Sequence, residues 1–217
     1  MAQVTTGIRA VLSHPAVYSA FQQFMGATRD RELYVEDYLQ PLDGMRILDI
    51  GCGPADILAH LPDVSYYGFD ISERYIEMAR SRFAGRNAKF HCKLMTPADL
   101  AGLPHFDRVI AIGLLHHLDD ASALELMRMV SARLAPGGRM VTLDPCLTGD
   151  QNPVARWLVK SDRGQNVRTR EGYEFIARAA FGCVTATVRH KIWIPYTHCH
   201  VVCENGGGTE YAGKAAQ

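Results

Sequence analysis

From residue 45 onward, short continuous apolar runs alternate with longer stretches in which apolar residues recur every three or four positions. Residues 45–50, 64–70, 89–93, 107–114 and 139–144 read as strands, each bounded by Gly, Pro, Asn or Asp. Pro54 is placed for the first turn of a helix reaching about residue 61, where its missing N–H would lack a partner anyway. Ser72 caps a helix to about Phe83. Asp119 or Asp120 caps another that carries Leu124, Met127, Val130 and Leu134 and stops at Pro136-Gly137-Gly138. Strands alternating with helices imply right-handed crossovers and a mostly parallel sheet.

The flanks break this rhythm. Residues 8–39 carry three apolar stripes (Ile8, Val11 and Leu12; Tyr18, Phe21 and Phe24; Leu33, Tyr34 and Tyr38) with breaks near Pro15 and Gly26, as amphipathic helices do. Residues 145–168 are polar, basic and turn-rich, with one short helix near Val154–Val159. A helix from about Arg170 to Ala180 follows. Val184–Ile194 and Thr197–Cys203, separated by Pro195-Tyr196, read as a closing antiparallel pair. The segment from Glu204, with Gly206-Gly207-Gly208, offers no core residues and is expected to be disordered.

Composition narrows the setting. Lys and Arg number 23, as do Asp and Glu, so the formal charge is zero and a nucleic-acid partner is not expected. The six cysteines lie scattered in apolar segments and read as buried thiols in a reducing compartment. No apolar run is long enough to span a bilayer, and the N-terminus lacks a continuous apolar signal stretch. A cytoplasmic protein without membrane insertion is the expectation; the oligomeric state is not legible.

The chemistry concentrates at Leu48-Asp49-Ile50-Gly51-Cys52-Gly53-Pro54-Ala55-Asp56, with Asp70 closing the next apolar run. A dinucleotide turn is G-x-G-x-x-G, cradling pyrophosphate. Here Asp56 stands at the third glycine, and Asp49 precedes the turn. A carboxylate repels pyrophosphate but attracts an ammonium or sulfonium. Glycines at 51 and 53 let backbone approach a ligand closely, and a helix N-terminus can receive a small carboxylate. Asp70, at a strand's carboxyl end, suits both hydroxyls of a ribose. A zwitterionic amino acid joined to a nucleoside meets all these demands.

These residues resemble the class I S-adenosylmethionine-dependent methyltransferase family, from about Met45 to Asp144. Leu48–Gly53 is similar to its first motif and Phe69-Asp70-Ile71-Ser72 to its ribose-binding acidic motif. Phe106–Ile110, Leu114-Leu115-His116-His117-Leu118 and Leu134-Ala135-Pro136-Gly137-Gly138 follow in the family's order. The resemblance implies a Rossmann-like three-layer αβα sandwich of the α/β class. Its sheet has seven mostly parallel strands with an antiparallel last strand. One domain then spans 1–217: a helical lid at 8–44, a cofactor-binding core at 45–144, a cap at 145–180, a closing hairpin at 181–203 and the 204–217 tail. The implied cofactor is S-adenosyl-L-methionine, held by Asp49, Gly51, Cys52, Gly53, Asp70, Ile71, Ile112 and His117. Leu94 and Met95 take the place of the family's adenine-holding Asp-Ala pair, with Asp99 further on. Arg29 or Arg31 reaches the cofactor carboxylate from the lid. Many members have a third glycine where Ala55 stands, a tolerable change if φ stays negative there.

Methyl transfer from a sulfonium needs alignment first and a base only where the acceptor must lose a proton. His116 and His117, at the carboxyl end of the fourth strand, are the candidate bases; helix entry and packing are their competing roles. The family's amino-directed nucleic-acid enzymes carry Asn/Asp-Pro-Pro-aromatic there, so Leu115–Leu118 points to a small-molecule acceptor, as a rule a hydroxyl. Tyr18, Arg156, Arg163 and Arg168 are candidate acceptor contacts, suiting an anionic group, although a solvated basic face accounts for the arginines equally. No metal is expected: strand alternation sends Cys199 and Cys203 to one face and His198 and His200 to the other. Two alternatives stand beside methyl transfer. One is a nicotinamide-dependent oxidoreductase, disfavoured by Asp49 and Asp56; the other is a cofactor-binding protein without turnover.

Overall fold

A computed structural model describes residues 27–160, 164–191 and 196–206. Helix α1 (Ala27–Tyr34) runs into a π-helical turn, Val35–Leu39. Then come β1 (Arg46–Ile50), a 3-10 turn (Asp56–His60), β2 (Ser65–Asp70), α2 (Glu73–Arg82), β3 (Ala88–Cys92) and α3 (Pro97–Ala101). Next are β4 (Phe106–Ile112), a 3-10 turn (Leu115–His117), α4 (Asp120–Ser131) and β5 (Leu134–Pro145). Helices α5 (Pro153–Lys160) and α6 (Arg170–Arg178) precede β6 (Cys183–Lys191) and β7 (Tyr196–Glu204). The strands form one seven-stranded sheet in the order β3-β2-β1-β4-β5-β7-β6. Pairings among β1 to β5 are parallel, and β7 runs antiparallel to both neighbours.

Alternate residues of each strand bury two separate cores. On one face Leu48, Phe69, Val109 and Met140 pack with Met127 and Val130 of α4 and Ile176 of α6. On the other, Ile47, Tyr66, Ile110 and Val141 pack with Tyr34, Tyr38, Leu58 and Ile76. Both faces are covered, which explains why the central strands read as continuous apolar runs. Strand order turns back beside β1, opening the crevice between the carboxyl ends of β1 and β4 where open α/β sheets bind ligands.

The caps at Ser72 and Asp119 form as the sequence indicates, accepting from Tyr75 N and Ser122 N. The short helix α3 is not anticipated; its signal is the Thr96–Asp99 capping box with Pro97 at the first turn. Leu134, read as helical, and Pro136–Gly138, read as the helix stop, already belong to β5, with a register irregularity opposite Phe106–Arg108. The first two stripes of the 8–39 region and nearly all of the tail lie outside the described residues. The third stripe is helical, with Tyr34 and Tyr38 buried.

The helix expected from Pro54 is instead a turn leading into the five-residue 3-10 element Asp56–His60, so it offers no helix N-terminus to a carboxylate. Its cap is Ala55, buried, with φ 57° and ψ 38°. The condition that Ala55 keep a negative φ is not met. Left-handed backbone costs a non-glycine residue about 1–2 kcal/mol, and one buried methyl returns about 0.8 kcal/mol. Ala55→Gly should therefore leave stability within about 1 kcal/mol of the parent in urea unfolding. Ala55→Val, β-branched in the left-handed region and enclosed on all sides, should lose about 3 kcal/mol or more.

Candidate functional site

The turn after β1 is built around Asp70. Gly51 N and Cys52 N donate to the Phe69 carbonyl at 2.8 and 3.0 Å, tying the turn to the end of β2. Gly51 and Gly53 take φ of 74° and 54°, the left-handed region that favours glycine. Gly53 N donates to one Asp70 oxygen at 2.9 Å and Ser72 N to the other at 2.8 Å. The carboxylate is fixed with lone pairs to spare, at the mouth of the crevice.

Asp49 lies beneath the turn, 3% exposed, and accepts from the Tyr66 hydroxyl at 2.5 Å. Burial pushes its carboxyl up to about 7, the nearby Asp70 charge adding to the effect and the Tyr66 hydrogen bond opposing it. Tyr34 also feels this charge, and its hydroxyl donates to Val141 O at 2.8 Å. Cys52 is turned inward: a Cβ on Gly68 would lie 2.9 Å from its sulfur, and burial drives its thiol well above the usual range. Only its backbone faces the crevice side of the turn.

Asp56, a mainstay of the argument against pyrophosphate, is committed elsewhere. It pairs with Arg31 of α1 at 3.0 Å and with Arg82 of α2 at 2.5 Å, so it latches helix α1 to the core. Arg31 is thus engaged in that latch, whereas Arg29 is exposed. Ile71 and Leu94, following β2 and β3, are each 59% exposed. Met95 is 6% exposed and belongs to the core, and Ile112 is half-buried at the end of β4. Asp99 is spent on the Thr96 capping box and on Lys93.

Past β4, Gly113 (φ 66°) opens the turn holding the histidines. His116 is 4% exposed; its Nδ1 lies 2.8 Å from Asp144 Oδ1, which also accepts from His116 N at 3.1 Å. His117 is half-buried, its ring 4.1 Å from that of His116. Of the two candidate bases, His117 is the less buried. Asp144, at the end of β5, was not singled out from the sequence; the pairing joins residues 28 positions apart and has no local signal.

The acceptor-side arginines divide. Arg168 spends its guanidinium on Asp120 and on the carbonyls of Leu115, Asn166 and Leu118. Arg156 is exposed, donates to Thr148 O at 3.0 Å, and lines a cleft of about 420 Å³ with Asp150, Arg170, Glu171 and His190. Tyr18 and Arg163 lie outside the described residues. A larger cleft, about 720 Å³, opens beside Arg46, His105 and Pro136 at the amino ends of the strands, the wrong end of the sheet for this chemistry. Among the described residues no cluster of three or more His, Cys, Asp or Glu could hold a metal, and no helix is long and apolar enough to cross a membrane.

Comparison with known proteins agrees with this geometry. Residues 48–140 match the family model described as a methyltransferase domain. The chain is similar to O-methyltransferase cnsE of Penicillium expansum, 32% identical over 71% of this chain and 60% of that protein. It is also similar to a tRNA U34 carboxymethyltransferase of Pseudoalteromonas translucida, 28% identical over 60% of this chain and 40% of that protein. The chain thus spans less than two thirds of either relative's length. In fold it resembles the S-adenosylmethionine-dependent methyltransferase SibL, with a TM-score of 0.66 and 19% identity over 91% of this chain and 61% of that one. Glycine turn, acidic end of β2 and sheet order concur with these matches: residues 48–140 are a methyltransferase domain, built on the fold seen in S-adenosylmethionine-dependent methyltransferases.

Proposed function

We propose that the chain transfers a methyl group from S-adenosylmethionine to a hydroxyl of a small organic acceptor. The observation that carries this reading is the crevice mouth. Asp70 stands fixed between two backbone donors, with exposed apolar side chains, Ile71 and Leu94, on the same edge. These groups fit the cofactor. Asp70 has lone pairs left for the ribose hydroxyls, and Ile71 and Leu94 offer apolar cover for adenine. Asp49 supplies negative charge toward the amino-acid end, and Gly53, where a Cβ would meet nothing within 4 Å, leaves the turn open. Arg29 stands on the lid helix as a further contact for the carboxylate. When bound, the cofactor supplies a methyl on a sulfonium, already activated for displacement.

The chain's own work is then alignment and removal of one proton. His117 stands at the carboxyl end of β4, where a ring nitrogen can take the hydroxyl proton as the acceptor attacks. The acceptor rests against the 145–170 segment near Arg156. An anionic acceptor is not part of the proposal, because Arg168 and Arg170 are neutralised by Asp120 and Glu174. Small-molecule O-methylation is supported by Leu115–Leu118 in place of the Asn/Asp-Pro-Pro-aromatic motif and by the similarity to an O-methyltransferase. None of the six cysteines is in a disulfide, four being buried, Cys183 half-buried and Cys92 exposed, which fits the cytoplasm.

Methyl-labelled S-adenosylmethionine should be supplied with separate pools of phenols, aliphatic alcohols and amines, and bulk tRNA. Label recovered as alkali-stable ether in a hydroxyl pool is the expected result. Label in tRNA alone would overturn the small-molecule reading. Cofactor binding without transfer to any pool would favour a binding protein, and a thermal shift with a nicotinamide cofactor only would favour an oxidoreductase.

A further inference from the structure

The turn that carries the two histidines is held from below and above by groups with no assigned part in the chemistry. We propose that Asp144 and Arg168 are positioning residues, which together fix the Leu115–Leu118 turn so that His117 faces the crevice. This rests on the methyl-transfer reading above.

Asp144 acts from the neighbouring strand β5. Its Oδ1 takes both the backbone N–H and the ring Nδ1 of His116, at 3.1 and 2.8 Å. A carboxylate only accepts, so Nδ1 is the protonated nitrogen of this ring. The segment 164–168 acts from the other side. Asn166 N donates to His116 O at 3.0 Å. Arg168 donates to Leu115 O at 2.8 Å and Leu118 O at 2.7 Å, and its Nε and Nη2 both reach Asp120. Gly164 lies directly on the His116 ring: a Cβ there would come within 1.9 Å of Cδ2 and 2.6 Å of the His116 carbonyl oxygen. Two further amides close the turn on itself, His117 N to Leu114 O at 3.0 Å and Leu118 N to Leu115 O at 3.1 Å.

His117 is the less buried of the two rings. His116 is enclosed between Asp144 and Gly164, and its ring forms a wall 4.1 Å from that of His117. Arg168 suits its task because a planar guanidinium presents several donors in a fixed fork, which an ammonium cannot reproduce. The same contacts join the cap segment to the cofactor core, since Leu147 N donates to Arg168 O at 3.1 Å. A shift of about 1 Å in an aligned group can cost about a hundredfold in rate, so loosening this frame should slow transfer more than it weakens binding.

The test compares the parent protein with Asp144→Asn and Arg168→Lys, all carrying S-adenosylhomocysteine. Histidine ring nitrogens are read by long-range proton–nitrogen NMR, S-adenosylhomocysteine affinity by calorimetry, and kcat and KM with a hydroxyl acceptor recovered from the labelled-methyl screen. In the parent, His116 should be the Nδ1–H tautomer. In both variants the His117 ring signals should shift or broaden and kcat fall about 10- to 100-fold, with S-adenosylhomocysteine affinity and acceptor KM within about threefold of the parent. Folded variants with unchanged His117 signals and kcat would show that the frame only stabilises, and overturn the proposal. An Nε2–H tautomer at His116 in the parent overturns it as well, whether or not the variants fold. Parent protein that fails to bind S-adenosylhomocysteine would refute the cofactor reading instead, separately from the ring measurements.

Discussion

Asp70→Ala should reduce affinity for S-adenosylmethionine at least a hundredfold, measured by calorimetry, while the protein still unfolds cooperatively. The magnitude follows from two charge-assisted hydrogen bonds to the ribose, each contributing about 1.5–3 kcal/mol. The isosteric Asp70→Asn is a sharper probe. Both carboxylate oxygens accept from backbone, Gly53 N on one side and Ser72 N on the other. An asparagine satisfies only one of these and sets its amide hydrogens against the second N–H. The glycine turn should loosen, and affinity should fall at least about tenfold although size and shape are kept. Undiminished affinity in either variant would remove Asp70 from the site.

Asp49 should make stability fall as pH rises. Its carboxyl is at about 7 in the folded chain, against an ordinary 3.8. A raised carboxyl means that the folded state binds the extra proton between these values. The favourable contribution is complete below the unfolded value, near pH 4, and is lost progressively as pH climbs toward 7; above 7 it stays lost. With about 1.4 kcal/mol per unit, the whole effect is at most about 4 kcal/mol. Asp49→Asn should abolish this slope, since the amide keeps an acceptor for the Tyr66 hydroxyl without a charge to bury. At pH 8 the variant should be the more stable protein in urea and the weaker binder of the cationic cofactor. A parallel pH dependence in parent and variant would refute the assignment. The opposed signs are expected of a site where burial of a charge is tolerated for binding.

How much of this was legible varies with the range of the interaction. The strands, the caps at Ser72 and Asp119 and the preference for glycine at 51 and 53 are local, written in periodicity and in side-chain chemistry a few residues apart. Ala55 shows where local reading stops. Nothing near it in the chain says that its φ is positive, or that it is buried together with Ile57 and Leu58. Asp56 is instructive in the same way. Its carboxylate speaks against pyrophosphate when only its neighbours are considered, yet it is balanced by Arg31 and Arg82, which lie 25 and 26 residues away.

The acceptor side was least legible because arginines look alike in sequence. Arg168 and Arg156 both read as cations for an anionic group. One is drawn into a knot of carbonyls and Asp120; the other stands exposed over a cleft. The same holds for His116 and His117, adjacent in the chain and opposite in circumstance, because Asp144 reaches across from β5 to take one of them.

By itself, then, the sequence determined the sheet, the glycine turn and the acid at its rim, since apolar period, positive-φ glycines and strand-end carboxylates act over a few residues. Only the tertiary structure decided which charged side chains remain for chemistry. Partners that neutralise or satisfy them come from distant strands and helices, and burial, which sets Asp49 at about 7, exists only once those elements have packed.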